Sequence, residues 1–253
     1  MWTLDRTAEL PRWKPDPPFP GVELSFSTRL GGVSAPPYQS LNLGRSTADG
    51  PEAVTENRRR FLAALELSPD RLATAGQVHG ARIVEVSEPG HAPECDALLT
   101  RARGLALAVT TADCMPLIYV APDAIAVAHA GWRGTADRMP SVALEAVCRA
   151  AGCGPSSVRV HLGPCIRSCC YEVGAEVAER FPSPVSRPWG ERFRLDLPLA
   201  ARIQLTEAGL PPDSLHDLEA CTACEPFFYF SHRRDGSPAG RHWAAAALRV
   251  REL

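Results

Sequence analysis

The sequence predicts an α+β fold, and three observations predict it. Short apolar runs rich in β-formers lie close together at 105–110, 116–120 and 124–128. Segments with helical spacing flank them at 50–66 and 136–151. The order of these elements lacks the strict strand–helix alternation of a doubly wound parallel sheet. A chain of 253 residues is long enough to bury a large core. It reads as one domain over 1–253, with a proline-rich, irregular lead-in over 1–22.

Each element has its own signal. Residues 24–27 form a first strand. A loop follows at Arg29-Leu30-Gly31-Gly32-Val33-Ser34 and continues through Ala35-Pro36-Pro37. In 50–66, Val54, Phe61, Leu62 and Leu65 share one helical face. Residues 82–86 alternate with period two, as in a strand. Pro122-Asp123 is a turn signal between two apolar runs. The helix over 136–151 stops at Gly152, and 158–162 is the next strand. Helices are expected at 172–181 and 199–208, the second closed by Gly209 and two prolines. Strands are expected at 192–197 and 227–230, while 243–250 fits either a strand or a helix.

Composition removes several function classes. Hydrophobic content of 45% and charged content of 22% are those of an ordinary soluble protein. A net charge of −2 gives no field that draws nucleic acid or an anionic membrane, and no basic aromatic stripe appears. No apolar run approaches the roughly 20 residues that span a bilayer. Residues 1–20 carry Asp5, Glu9, Arg12, Lys14 and Asp16 among prolines, with no secretory signal pattern. The expected location is the cytoplasm. Nine cysteines, an odd number, argue against a disulfide scaffold and for small buried side chains.

Three strings carry metal-ligating residues: Gln77-Val78-His79-Gly80, Thr111-Ala112-Asp113-Cys114 and Ala128-His129-Ala130-Gly131-Trp132-Arg133-Gly134. Two imidazoles and one thiolate leave a fourth position open, the coordination of a catalytic zinc. Singly, such a cysteine is most often a packing residue and such a histidine a hydrogen-bonded structural one. A hairpin around Pro122-Asp123 joins two of them. It sets position 116 opposite 129 and 114 opposite 131, so Cys114 and His129 share its open end. Diagonal neighbours of that kind lie roughly 7–8 Å apart between backbones, close enough to converge on one ion. His79 precedes a predicted strand, and spacing alone does not bring it to the pair.

Longer strings carry a family resemblance. They include Thr28-Arg29-Leu30-Gly31-Gly32-Val33-Ser34, Ser40-Leu41-Asn42-Leu43-Gly44, Asn57-Arg58, Asp96-Ala97-Leu98-Leu99-Thr100 and the three ligand strings, the last extended to Thr135. Gly163-Pro164-Cys165-Ile166, Cys170-Tyr171-Glu172-Val173, Leu195-Asp196-Leu197 and Arg233-Arg234-Asp235-Gly236 follow. In this order they resemble the laccase-domain, or multicopper polyphenol oxidase-named, family of YfiH-like purine nucleoside phosphorylases. The resemblance implies a four-layer fold, two packed mixed sheets with helices outside. It implies a zinc held by His79, Cys114 and His129. It implies phosphorolysis of adenosine, inosine and methylthioadenosine to free base and pentose 1-phosphate, with adenosine deaminase activity. Some bacterial members are tied instead to peptidoglycan precursor editing. This chain departs where His232 replaces a usual Tyr, where Pro198 replaces a common Trp, and where Cys224 closely follows Cys221.

Chemistry assigns the candidate roles. Arg29, Arg58 and Arg133 are candidates for phosphate, because a planar guanidinium binds two oxygens at once. Asp113 is a candidate to orient a ligand imidazole or act as acid or base, and caps a turn equally well. Asn42 is a candidate substrate contact or a turn residue. Three other readings stay open. A cysteine hydrolase would use Cys114 as nucleophile with His129 or His79 as base, acting on a muropeptide amide. His₂Cys also suits blue copper, although a multicopper oxidase needs more than the seven histidines here. A non-enzymatic module would close the zinc with Cys165, Cys169 or Cys170. Cys221-Thr222-Ala223-Cys224 also has the spacing of half a zinc knuckle, with packing cysteines as the default.

Overall fold

The computed structural model describes residues 2–6 and 10–250. The expectations for 1, 7–9 and 251–253 lie outside the described residues. The chain runs β1 (Trp2–Asp5), β2 (Arg12–Pro15), β3 (Val22–Ser27), α1 (Pro51–Ala64), β4 (Leu72–Ala75), β5 (Ile83–Glu85), β6 (Gly90–Ala92) and β7 (Ala97–Thr100). It continues through β8 (Ala106–Thr111), β9 (Met115–Ala121), β10 (Ala124–Ala130), α2 (Trp132–Ala136), α3 (Met139–Ala151), β11 (Arg159–Leu162) and β12 (Glu172–Val173). Then follow α4 (Ala175–Ala178), β13 (Ser186–Trp189), β14 (Arg192–Leu195), α5 (Leu197–Glu207), β15 (Leu215–Asp217), α6 (His232–Asp235) and β16 (His242–Leu248).

Two mixed sheets carry the fold. One has the order β1-β2-β3-β16-β8-β4-β6 and the other β15-β11-β9-β10-β7-β5, while β12-β14-β13 form a small third sheet. Side-chain alternation explains the stacking. On β10, Ile125 and Val127 join Leu24, Phe26, Leu107 and Val109 between the sheets. Ala124, Ala126 and Ala128 face the other way, under Leu144 and Val147 of α3 and Leu205 of α5. Alanines on that face let the helices sit close. On the far side, Ala106, Ala108 and Ala245 pack beneath Phe61 and Leu62 of α1. The order helix, sheet, sheet, helix is the four-layer arrangement. With both sheet faces covered, the strands read as continuous apolar runs. No helix among the described residues is long and apolar enough to cross a membrane.

The β9–β10 hairpin has the expected register, with His129 opposite Pro116 and Ala124 opposite Ala121. Helix α1 buries Val54, Phe61 and Leu62 as the spacing requires. Helix α3 ends on Gly152 at φ 63°, a left-handed cap. Pro198 lies in the first turn of α5, where a missing N–H is tolerated, and Asp196 caps that helix through Leu199 N–H at 3.0 Å.

Several expectations are corrected. The lead-in is not irregular: β1 and β2 pair antiparallel, Trp2 opposite Pro15. Trp2 packs 4.8 Å from Phe26, and Trp13 Nε1 donates to Tyr229 Oη at 2.7 Å. Partly buried aromatic rings packed on the core thus outweigh the proline signal there. Residues 172–181 hold β12 and the one-turn α4 instead of a long helix, because Glu172 and Val173 pair with Arg194 and Phe193. Residues 227–230 form a turn in place of a strand, with Phe228 N–H and Tyr229 N–H both donating to Glu225 O. The helix expected over 136–151 is divided at Arg138, which takes φ 64°. Of residues 243–250, 243–248 resolve as strand, within β16 between β3 and β8, and the last two lie beyond it.

Ile125 is fully buried between the sheets. Ile125→Ala is expected to lower unfolding free energy by about 2–5 kcal/mol in urea titration. Val33→Ala, at a position 42% exposed, should change it by about 0.5 kcal/mol or less. Equal effects would contradict the two-sheet core.

Candidate metal centre

Four strand ends meet where the two sheets open. Residues 112–114 carry the chain from β8 in one sheet to β9 in the other. Asp113 stands at φ 86° in this crossing, a conformation that must be held by its surroundings. Thr222 Oγ1 donates to one carboxylate oxygen of Asp113 and Arg233 N–H to the other, each at 2.6 Å, while Ile166 N–H donates to its carbonyl. Asp113 is therefore a loop clamp that fixes its neighbour Cys114.

His79 follows β4 in a loop where both it and Gln77 have positive φ, 65° and 54°. Gln77 clips this loop to β8 through Thr110, donating to its carbonyl at 2.6 Å and accepting from its N–H at 2.8 Å. His129 occupies the end of β10, on the inter-sheet face. The ligating atoms of His79, Cys114 and His129 lie within 4.8 Å of one another, and the two imidazoles cross at 84°. Close backbone approach makes this possible. A Cβ at Gly131 would sit 2.8 Å from the Cys114 sulfur, and one at Gly134 would sit 2.6 Å from Gly80 O.

Asp96, just before β7, organises the group. Its buried carboxylate accepts the N–H groups of Val78, His79 and Gly80 at 3.1, 2.8 and 2.8 Å. It also bonds His129 Nδ1 at 2.8 Å. That bond puts a proton on Nδ1 and turns Nε2 toward Cys114 and His79, where it becomes a metal's lone-pair donor once its own proton is displaced. The position that orients an imidazole is thus Asp96, where Asp113 was the sequence candidate. Burial pushes the Asp96 carboxyl up, but the His129 bond and the loop N–H groups outweigh it and hold it below the usual carboxylate range. Burial likewise raises the Cys114 thiol, yet the His129 charge and the bonds from both imidazoles draw it down to about 6. Burial lowers His129, while the Cys114 thiolate and Asp96 overcome this and raise it to about 9.

The donor set fits a soft or borderline transition metal: one thiolate, two imidazoles, and a carboxylate behind one imidazole. Cys169 and Cys170 belong to a separate sulfur cluster. The group therefore has three protein ligands among the described residues.

A cavity of about 730 Å³ opens above the three ligands, and Arg45, Arg58, Arg241, His91 and His232 line its walls. Arg58 stacks over Trp243 and donates Nε–H to Leu43 O at 2.8 Å; burial, then Arg45, lower its pKa to about 10. The other sequence candidates do not line this cavity. Arg29 donates to Gln39 O and Pro226 O and lies 4.4 Å over Phe230, pinning a loop. Arg133 is exposed and lies over Trp132. Asn42 is fully buried, and its Oδ1 accepts Arg241 N–H at 2.9 Å, so it supports the cavity wall from behind. Arg45, Arg241 and Asp96 were missed by the sequence reading. Only Asp96 left a trace there, an acid heading an otherwise apolar strand.

Comparison with known proteins follows the same outline. A family model described as "Multi-copper polyphenol oxidoreductase laccase" matches residues 23–249. Purine nucleoside phosphorylase YlmD of Geobacillus stearothermophilus is 38% identical over 245 residues, covering 89% of each chain. Its crystal structure superposes with a TM-score of 0.92 at 34% identity, covering 99% of this chain and 100% of that one. A protein of Deinococcus radiodurans named purine nucleoside phosphorylase is 41% identical over 239 residues, 91% of each chain. Adenosine deaminase RL5, from an unknown prokaryotic organism, is 34% identical over 242 residues, 87% of this chain and 92% of that one. The chain belongs to the laccase-domain family, which also includes purine nucleoside phosphorylase YfiH of Escherichia coli, 36% identical over 235 residues, 89% of this chain and 93% of that one.

Proposed function

We propose that this protein is a zinc-dependent purine nucleoside phosphorylase acting on adenosine, inosine and methylthioadenosine, with adenosine deaminase activity. One observation carries the reading: a His₂Cys group lies at the floor of a cavity walled by arginines, large enough for a nucleoside with phosphate. The names of the relatives support the same substrate class. His79, Cys114 and His129 would hold the metal. Zinc bound with an open position supplies a Lewis acid that acidifies water or polarises an oxygen. Three ligands favour it over copper, since no axial fourth donor joins the group among the described residues.

The chain's own residues supply the rest. Arg45, Arg58 and Arg241 bring positive charge to one wall, which attracts and orients a phosphate dianion. In phosphorolysis a phosphate oxygen bonds to C1′ while the glycosidic C–N bond breaks, and the base leaves with the electron pair and takes up a proton. In deamination water oxygen replaces the amine at the purine ring and ammonia leaves. Asp96 keeps Nε2 of His129 aimed at the ligand group throughout. His232, which replaces the family's usual Tyr, stands on the cavity wall, where it contacts substrate.

Chromatography of inosine and adenosine, with and without phosphate, tests the reading. The zinc-loaded protein should release hypoxanthine from inosine only when phosphate is present. Cys114→Ala should lower that rate by at least about 100-fold. Release of neither base nor inosine at full zinc occupancy would overturn it.

A second reading has its own support, the thiolate–imidazolium pair of Cys114 and His129, which suits a cysteine hydrolase acting on peptidoglycan precursors. Because the thiol is drawn down, the thiolate forms as pH rises past about 6. In metal-free protein, iodoacetamide labelling of Cys114 is expected to rise with a midpoint near that value, against about 8.5 for an ordinary thiol. Zinc should abolish the labelling. A midpoint near 8.5 would contradict the pairing, and labelling undiminished by zinc would favour the hydrolase.

A further inference from the structure

A second constellation lies outside this centre. Cys169 and Cys170 sit on one loop and Cys221 and Cys224 on another, about fifty residues on in sequence, and all four sulfurs lie within 4.8 Å of one another. All four are free thiols. Cys170 and Cys224 are 3.2 Å apart, and Cys169 is 3.5 Å from both Cys221 and Cys224. Pairwise bridging gives no reason for one sulfur to stand midway between two others. A central ion does: zinc–sulfur bonds of about 2.3 Å in a tetrahedron set the sulfurs roughly 3.8 Å apart.

The surroundings favour a thiolate at Cys221, while burial raises Cys169 and Cys170 in the absence of an ion. The Cys221 sulfur accepts the backbone N–H groups of Arg167 and of Cys224, three residues along the same Cys-x-x-Cys turn. Such bonds favour the deprotonated, ligating form and fix the ligand's direction. Side chains brace the ligand loops: Glu225 accepts Cys221 N–H at 3.1 Å, and two arginines, one of them Arg234 paired with Asp235, hold loop carbonyls. Arg194 donates to Cys169 O at 3.0 Å, and Arg234 donates to Thr222 O at 2.8 Å and Ala223 O at 3.3 Å.

We propose that Cys169, Cys170, Cys221 and Cys224 form a second zinc site, closed and structural. Binding displaces the four thiol protons to solvent and leaves no position open for a substrate. Its purpose follows from what the two loops hold. Ile166, just before the first pair, donates to Asp113 O at 2.9 Å. Thr222, between the second pair, donates to the Asp113 carboxylate at 2.6 Å. The two loops also meet at an isolated bridge, Cys165 with Cys221. The ion ties together both loops that clamp the strained residue beside Cys114.

Cobalt substitution in the intact Cys114→Ala protein, under reducing conditions, tests this directly. That variant has no sulfur ligand at the first centre, so sulfur-to-cobalt charge transfer there reports only the second. The expected result is strong charge-transfer and tetrahedral d–d bands that saturate at one cobalt per chain and disappear on adding zinc. Adding Cys169→Ser and Cys224→Ser to the same background should abolish the bands. The native protein should hold two zinc ions per chain, and Cys169→Ser/Cys224→Ser one. Absence of thiolate bands in Cys114→Ala would overturn the proposal. So would fresh native protein with one zinc per chain and these four cysteines recovered as disulfides. Neither outcome depends on which substrate the first centre acts on.

Discussion

The Asp96 carboxylate is the constraint on which the centre depends. It is fully buried, and a buried charge is costly unless every lone pair is satisfied. Three consecutive backbone N–H groups and one imidazole satisfy it here. The same four bonds determine the geometry of function. They hold His79 in a left-handed conformation that it would not adopt alone, and they choose the tautomer of His129. Asp96 leads into a strand of one sheet, and the loop it grips leaves a strand of the other. One side chain therefore joins the two sheets at the point where the ligands converge.

The rest of the fold supports that point. The hairpin brings Cys114 and His129 to one end, and the chain's crossing between sheets places the thiol between the two histidines. Glycines at 131 and 134 let α2 lie against both the sulfur and the Gly80 backbone. Asp113, strained in backbone, is held from three sides. Positive-φ residues cluster here at Gln77, His79 and Asp113, where local conformational cost is met by packing and hydrogen bonds from elsewhere. The result is a preorganised ligand set beneath a cationic cavity.

Much of this is legible in the sequence, for a local reason. The β9–β10 register follows from two apolar runs and a two-residue turn, which fix which residues face each other. Helix α1 shows its spacing directly, and α3 its terminal glycine cap, though not its start at Met139. What is hidden is what depends on distant partners. Strands β1 and β2 form in proline-rich sequence because Trp2 and Trp13 reach Phe26 and Tyr229. The segment at 172–181 loses its helical pattern to pairing with β14. Arg29 and Arg58 stand in equally suggestive strings, yet only Arg58 lines the cavity. Asp96 and Asp113 each head a short string, and only long-range folding shows that the first serves the imidazole and the second the loop.

The central claim is that Asp96 builds the metal centre through hydrogen bonds. The most direct test is the zinc dissociation constant of Asp96→Asn, by competition with a chelating dye, beside Cys114→Ala as the ligand loss. Asp96→Asn should bind the catalytic zinc about 10–100-fold more weakly than the native protein, with its circular dichroism retained. Affinity equal to that of the native protein would contradict the account.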